Sequence, residues 1–571
     1  MSTIATTPGV GEQRDSLTNL GVFLAFTLRR NWVRFLTWFL IIVGMLAFIV
    51  YYYQKLFVDE KELETFVATV NSPSLLSLVG IITHPVSIGG ATWCKGWMMF
   101  SLMLGIGILF LMTRNLRADE DQGRAELMRS NPLGIHVRLA SSVIAMSALA
   151  VVIGVLSALT ISAFDVCHLG GKVMCLNPIP SAWIFGLSIT GVGLLGVGIG
   201  ALANELSPSS GAANGLGVAI FGVFYFIRII GDVQTTWTPA TGTDGIRYLT
   251  ADGWGQTLSW FSPIAWGQKM DPWGANRWWP LLLSILLAAL LVAIAWLIQA
   301  RRDLGDSIAP ERTGKANASA VLTKVWGLGA RLQRGSMIAW FIGVFLFALI
   351  IGNVIAAMND LLRNSNMGGV ANLHLTDNLL SVVSYLFMPL FGLVVAIFAA
   401  QSATLMRRDE AHGVLESQLG TSVGRVSWVL QRLAVTFVAT VLLLALIGVA
   451  FGTSFDALVP GANQTGPIIA GMLAYIPACF TLVGLFVLGF GWWPRFSVAV
   501  TWIVISGLWI IMIIGLAVPI PEAVIKAMPF NATPKVPYDP MDWTPVLIMT
   551  LVAVVLIVVG LIGFRRRNVP A

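Results

Sequence analysis

The sequence predicts an all-α polytopic membrane protein whose twelve transmembrane helices form two homologous six-helix halves, a pseudo-dimer. Three observations carry this. First, 56% of the 571 residues are hydrophobic and 11% are charged, against about 25% charged in an ordinary soluble domain. Second, mean hydropathy is +0.81, and apolar runs long enough to cross about 30 Å of hydrocarbon recur along the chain. Third, one charged loop motif occurs twice. A soluble enzyme, a disordered chain and a nucleic-acid-binding domain are excluded. Four cysteines are too few for a disulfide scaffold or a metal-cluster protein.

Residues 1–31 lack the apolar core and cleavage site of a signal peptide and read as a cytoplasmic N-terminus with an interfacial helix. The first half, 32–299, holds apolar runs near 32–53, 92–113, 139–164, 181–203, 214–232 and 279–299. A cytoplasmic linker with a second interfacial helix follows over 300–337. The second half, 338–564, holds runs near 338–358, 379–404, 433–455, 468–490, 496–518 and 546–564, and 565–571 is a basic cytoplasmic tail. With both termini inside, 24 of the 35 basic residues fall in inner loops and ends, nine fall outside, and Lys95 and Arg228 fall within spans. The opposite orientation inverts this ratio and violates the positive-inside rule.

The repeat lies in the loops after spans 2 and 8. Arg117, Asp119, Glu120, Gly123 and Glu126 match Arg407, Asp409, Glu410, Gly413 and Glu416, each pair 290 residues apart; Gly134 and Gly424 share the offset. Within each copy the two acids, the glycine and the last glutamate fall at offsets 0, 1, 4 and 7. On one continuous helix they share a face, and the glycines would let a partner backbone approach closely. The copies diverge at their ends, where Pro132 faces Ser422 and Arg138 faces Trp428.

Each half opens with an amphipathic stretch: Leu17, Leu20, Phe23 and Leu24 before Arg29 and Arg30, then Leu322, Trp326 and Leu332 among Lys324, Arg331 and Arg334. Such faces suit helices lying in the inner interface or packed on the bundle. Each half also carries a long outer segment before its last span. Residues 233–278 are rich in tryptophan and residues 519–545 in proline, which reads as re-entrant turns or as interfacial anchoring.

The membrane interior lacks a mid-span carboxylate. Lys95 and Arg228 lie near outer ends, where they snorkel or pair. Ion-coupled carriers generally bury ionisable groups, so an energy source outside the bilayer is the simpler expectation. A pathway lined by aromatic, Met, Ser, Thr and Gly side chains suits lipophilic or amphiphilic cargo. The chain contains no Gly-x4-Gly-Lys-Ser/Thr; Gly171-Lys172-Val173 and Gly314-Lys315-Ala316 lack the hydroxyl that holds Mg²⁺. It is therefore read as a non-enzyme that binds no cofactor, with any ATP and Mg held by a separate chain.

Asp-Glu-x-x-Gly-x-x-Glu after the second span of a six-span unit resembles the type-2 family of ABC transporter permeases. The fused twelve-span form is similar to the actinobacterial exporters of polyketide antibiotics (tetronasin-like) and multidrug exporters. The resemblance implies a multi-pass protein of the bacterial plasma membrane that exports antibiotic- or drug-like molecules. It implies two copies of a partner ABC ATPase, docked on coupling helices at Arg117, Asp119, Glu120, Gly123 and Glu126 and at Arg407, Asp409, Glu410, Gly413 and Glu416. A twelve-span secondary carrier of the major-facilitator type is the first rival, and a membrane-embedded transferase the second. The acid-rich loops argue against the former, and the absence of a His-acid cluster at the membrane face against the latter.

Cys167 and Cys175 share an outer loop with His168 between them. A disulfide leads, against two free thiols or a metal site that needs a further ligand. Cys94 and Cys479 fall in spans and read as small core residues. His412 lies inside the second motif, and the other histidines are scattered.

Overall fold

The computed structural model describes residues 16–568 apart from 58, 60, 64–65, 67–86, 131, 176–177, 242–246, 303–316, 318, 365–379, 381–382, 459–462 and 515–527. Among the described residues, twelve helices are long and apolar enough to cross a membrane. In order they are Leu20–Leu56, Met98–Asp121, Val137–Ser162, Pro178–Leu206, Ser210–Val233 and Pro280–Arg301 (spans 1–6), then Val325–Leu349, Val383–Ala411, Arg425–Ala457, Thr465–Trp492, Pro494–Met512 and Trp543–Arg566 (spans 7–12). The chain is an all-α multi-pass membrane protein. It divides into two compact units, Met1–Thr313 and Gly314–Ala571, each with six spans.

Span 4 is the most enclosed helix of the first unit and packs against spans 2, 3 and 6. In lipid, helices gain little from hydrophobicity and associate by close approach at small residues. Gly186 of span 4 meets Gly154 of span 3 so closely that a Cβ on Gly186 would collide with the Gly154 carbonyl. At the same level, the buried Trp97 indole donates to Ser188 Oγ at 2.8 Å. In the second unit, span 10 packs against spans 8, 11 and 12, and Phe486 and Phe490 stack at 5.8 Å in its core.

The amphipathic stretch before span 1 is not a separate helix. Leu20–Leu56 runs unbroken, with one π-helical turn at Leu40–Gly44. The physical reason is local: Leu20–Phe39 contains no proline and a single glycine, at its start, so nothing stops the helix at the expected interface. At 1.5 Å per residue it is about 55 Å long, well beyond the hydrocarbon. The helix that opens the second unit, Val325–Asn364, is likewise continuous over 40 residues.

Two hairpins interrupt the helical pattern. Strands β1 (His168–Leu169) and β2 (Lys172–Val173) pair antiparallel, and Cys167 and Cys175 beside them are joined in a disulfide, Cα to Cα 4.9 Å. The His168 ring pairs with Asp165 at 2.8 Å. Strands β3 (Thr236–Thr241) and β4 (Arg247–Asp252) pair antiparallel in the tryptophan-rich segment. Its tryptophans divide in role. Trp273 is buried, Trp260 and Trp279 stack at 5.1 Å, and Trp254 and Trp278 are exposed. Arg228, flagged as intramembrane, is buried and pairs with Asp232 at 2.8 Å one turn along span 5.

Of the proline-rich segment, Pro519 and Pro521 lie outside the described residues. So do 520 and 522–527; residues 528–545 fold back onto their unit. Lys535 is buried, donates to the Phe530 carbonyl at 3.1 Å and lies over the Tyr475 ring. Burial pushes its ammonium down to about 7, against the attraction of Asp539. Because the unfolded chain then binds more protons than the folded one above pH 7, stability rises with pH from about 7 to the ordinary lysine value near 10.4. Thermal unfolding in detergent should therefore show wild type gaining on Lys535→Met across that window, by at most about 1.4 kcal/mol per pH unit; parallel pH profiles would contradict it. Gly186→Val should lower the melting temperature of the first unit by forcing spans 3 and 4 apart, whereas Gly211→Val, with nothing within 4 Å of its Cβ, should have little packing effect.

Candidate functional site: the two charged loops

The first loop is two short helices, α1 (Arg117–Asp121) and α2 (Arg124–Arg129), joined through Gly123. In the second loop, span 8 continues to Ala411 and Gly413 leads into α3 (Val414–Leu419). Gly123 and Gly413 adopt φ of +68° and +72°, the left-handed region that costs a side-chain-bearing residue about 1–2 kcal/mol. A Cβ at either position meets nothing within 4 Å. The glycines are thus explained by backbone conformation, with no close contact needed.

That turn corrects the single-face expectation. The offsets 0, 1, 4 and 7 presuppose one continuous helix, and each helix is broken at the glycine. The residues before the break are turned into the unit: the Asp119, Glu120 and Glu410 side chains are at most 5% exposed, and Asp409 is 17% exposed. The residues after the break, Glu126 and Glu416, are exposed. Acids and glutamate therefore do different work.

In the first unit, Glu120 is met by Arg117 at 2.9 Å, Arg138 at 3.2 Å and Arg302 at 2.9 Å. Arg302 also reaches Glu205 of span 4 at 3.2 Å. Asp119 is met by Arg30 of span 1 at 2.7 Å and Arg124 at 2.9 Å. Arg30 and Asn31 both donate to Asn115 Oδ1. Asp121 accepts from the Ser210 backbone N–H at 2.7 Å, at the start of span 5, where the helix dipole favours a carboxylate. Arg117 donates to the Pro208 carbonyl at 2.7 Å. The loop is braced from spans 1, 3, 5 and 6 at once.

The second loop is held more simply. Glu410 pairs with Arg407 at 2.9 Å and Arg567 at 2.7 Å, and Asp409 with Arg432 of span 9. Trp428, standing where the first unit has Arg138, is fully buried and donates to Gln418 Oε1 at 2.6 Å. Arg567 lies over the Phe490 and Phe564 rings at 5.1 and 5.4 Å. Burial lowers its proton affinity and Glu410 opposes that; an arginine stays charged regardless. Arg302, Arg432 and Arg567 were legible only as orientation charges, and Arg30 also as the basic end of the amphipathic stretch. The signal available was positional, since Arg302 and Arg567 each stand one residue past the last span of their unit.

Away from the loops, the first unit has apolar grooves of about 620 Å³ between spans 3, 4 and 6, with Val143, Leu194, Ala288 and Trp296 among its walls, and about 420 Å³ between spans 1 and 3. The second unit has one of about 350 Å³ between spans 7 and 8. Among the described residues, no group of three His, Cys, Asp or Glu converges as a metal site.

A family model described as the multidrug efflux system permease Rv1217c, C-terminal domain, matches residues 322–565. Over 511 residues the chain is 28% identical to the multidrug efflux system permease protein Rv1217c of Mycobacterium tuberculosis (strain ATCC 25618 / H37Rv), covering 88% of this chain and 86% of that protein.

Removing one member of a buried ion pair costs about 3–5 kcal/mol, because the other charge is stranded. Glu120→Gln takes the carboxylate from the middle of three converging guanidiniums, leaving Arg302 with Glu205, Arg117 with Asp121 and the buried Arg138 with no other carboxylate among the described ion pairs, and it crowds three positive charges; Glu410→Gln takes it from two, with Arg407 partly exposed. Glu120→Gln should thus lower the detergent melting temperature more than Glu410→Gln; the reverse order would contradict the burial-based assignment. Gly413→Ala should cost about 1 kcal/mol and Gly413→Asn less, since asparagine tolerates the left-handed region.

Proposed function

We propose that this chain is the permease subunit of an ATP-driven ABC exporter that moves lipophilic or amphiphilic, antibiotic- or drug-like molecules out of the cell. The observation that carries efflux is the 28% identity, along nearly the whole chain, to a multidrug efflux system permease. Twelve apolar spans in two six-span units supply the membrane path. The groove walls named above, which are apolar, suit such cargo.

The drive is assigned to two copies of a separate ATPase chain, which would hold ATP and Mg. The support is that the sequence has no phosphate-binding Gly-x4-Gly-Lys-Ser/Thr, while two loops repeat the same left-handed glycine followed by an exposed glutamate. In this reading both loops and both termini are cytoplasmic, in a bacterial plasma membrane. Glu126 and Glu416 face the ATPase, with Leu127 and Val414 exposed beside them. Asp119, Glu120, Asp409 and Glu410 hold the loops to the spans, so a push on the exposed part reaches the bundle. ATP binding draws the ATPases together and switches the permease to outward-facing; hydrolysis resets it.

A tagged chain purified in mild detergent should bring down an ATPase, and the double variant Glu126→Arg with Glu416→Arg should abolish cargo-stimulated ATP hydrolysis while membrane insertion is unchanged. Undiminished stimulation in that variant would remove the docking assignment.

A further inference from the structure

We propose that Arg302 and Arg567 are positioning residues that bolt the charged loop of each unit to that unit's last span, so that loop and span move as one body. The inference rests on the function proposed above and names the residues that carry its motion.

The same kind of ion pair closes both units. Arg302 follows the end of span 6 and donates to both oxygens of Glu120 at 2.9 and 3.0 Å. Arg567 follows the end of span 12 and pairs with Glu410 at 2.7 Å. All four side chains are at most 14% exposed. In the first unit a single nitrogen, Arg302 Nη2, spans both carboxylate oxygens; in the second, Arg567 Nη2 meets Glu410 Oε1 as an ion pair, and in both the opposite charges in a poorly hydrated site hold the two side chains together.

Chain spacing alone does not produce this contact. The two glutamates are 290 residues apart and the two arginines 265, so the segments between loop and last span differ by 25 residues. The same pair is closed nonetheless. The other arginines on these glutamates come from the loop itself (Arg117, Arg407) or from span 3 (Arg138). Among the described ion pairs, only Arg302 and Arg567 join loop to last span. Each is also seated on its far side. Arg302 meets Glu205, and Arg567 lies on two aromatic rings while its carbonyl accepts from Arg425 at 2.6 Å. A rigid helix held at its end by such a pair transmits displacement along its length.

The bolts are unequal. Without Arg302, Glu120 keeps Arg117 and Arg138; without Arg567, Glu410 keeps only Arg407. The second loop is therefore the one released by a single change.

The test uses the full-length chain with Cys94 and Cys479 replaced by alanine. A nitroxide is placed at Gln122 or at Ser417, both exposed, and ethidium efflux is measured from cells expressing the same variants. Arg567→Gln should mobilise the label at Ser417 and cut efflux about tenfold, with the chain still inserted and its ATPase still co-purifying. Arg567→Lys should restore most of both. Arg302→Gln should give a smaller change at Gln122. An unaltered spectrum in Arg567→Gln overturns the proposal, and so does a mobile loop with normal efflux. Failure of any ATPase to co-purify with wild type defeats the function proposed above instead; the label and the efflux still decide the bolt.

Discussion

An ionised carboxylate taken out of water must be answered by positive charge at hydrogen-bonding distance, and the loops are organised around that constraint. Left unpaired, each buried acid costs several kcal/mol. Glu120 gathers three arginines and Glu410 two, drawn from different helices. Loop position, helix ends and the break in each loop follow from where those guanidiniums converge. The arrangement contributes little net stability over an apolar core of the same shape, yet it is specific. A charge pair must sit at contact distance to be answered, whereas a leucine contact tolerates many placements.

In the function proposed above, this division separates holding the loop from docking a partner. The left-handed glycine turns the chain so that two acids point into the unit and the following glutamate points out. A continuous helix presents all of them on one face, where acids meant for a partner and acids meant for the bundle would compete. Breaking it at Gly123 and Gly413 lets one short segment present acids to the bundle and a glutamate to the outside.

The spans were legible because hydrophobicity over some twenty residues is a long-range average that survives local noise. All twelve expected runs overlap helices among the described residues, 379, 381–382 and 515–518 lying outside them. Helix ends were less legible. The amphipathic stretch before span 1 has the composition of a surface helix, but nothing in Leu20–Phe39 stops the helix there, so it runs on into the span. The repeated loop was visible as matched residues, yet its geometry was not, because a helical wheel assumes φ below zero at every position and Gly123 violates that. Arg302 and Arg567 were hidden for another reason. Their partners lie 182 and 157 residues away, and a basic residue after a span already has a sufficient explanation in orientation. Only three-dimensional proximity distinguishes an orientation charge from a bolt.

The central claim is that the path through the membrane and its power source reside in different polypeptides. It is tested most directly by reconstituting the purified chain into lipid vesicles, alone or with the ATPase that accompanies it, and following uptake of a lipophilic dye. The account predicts no uphill movement by the lone chain under any imposed proton or sodium gradient, and ATP-dependent movement once the second protein is present. Gradient-driven accumulation by the lone chain would contradict it.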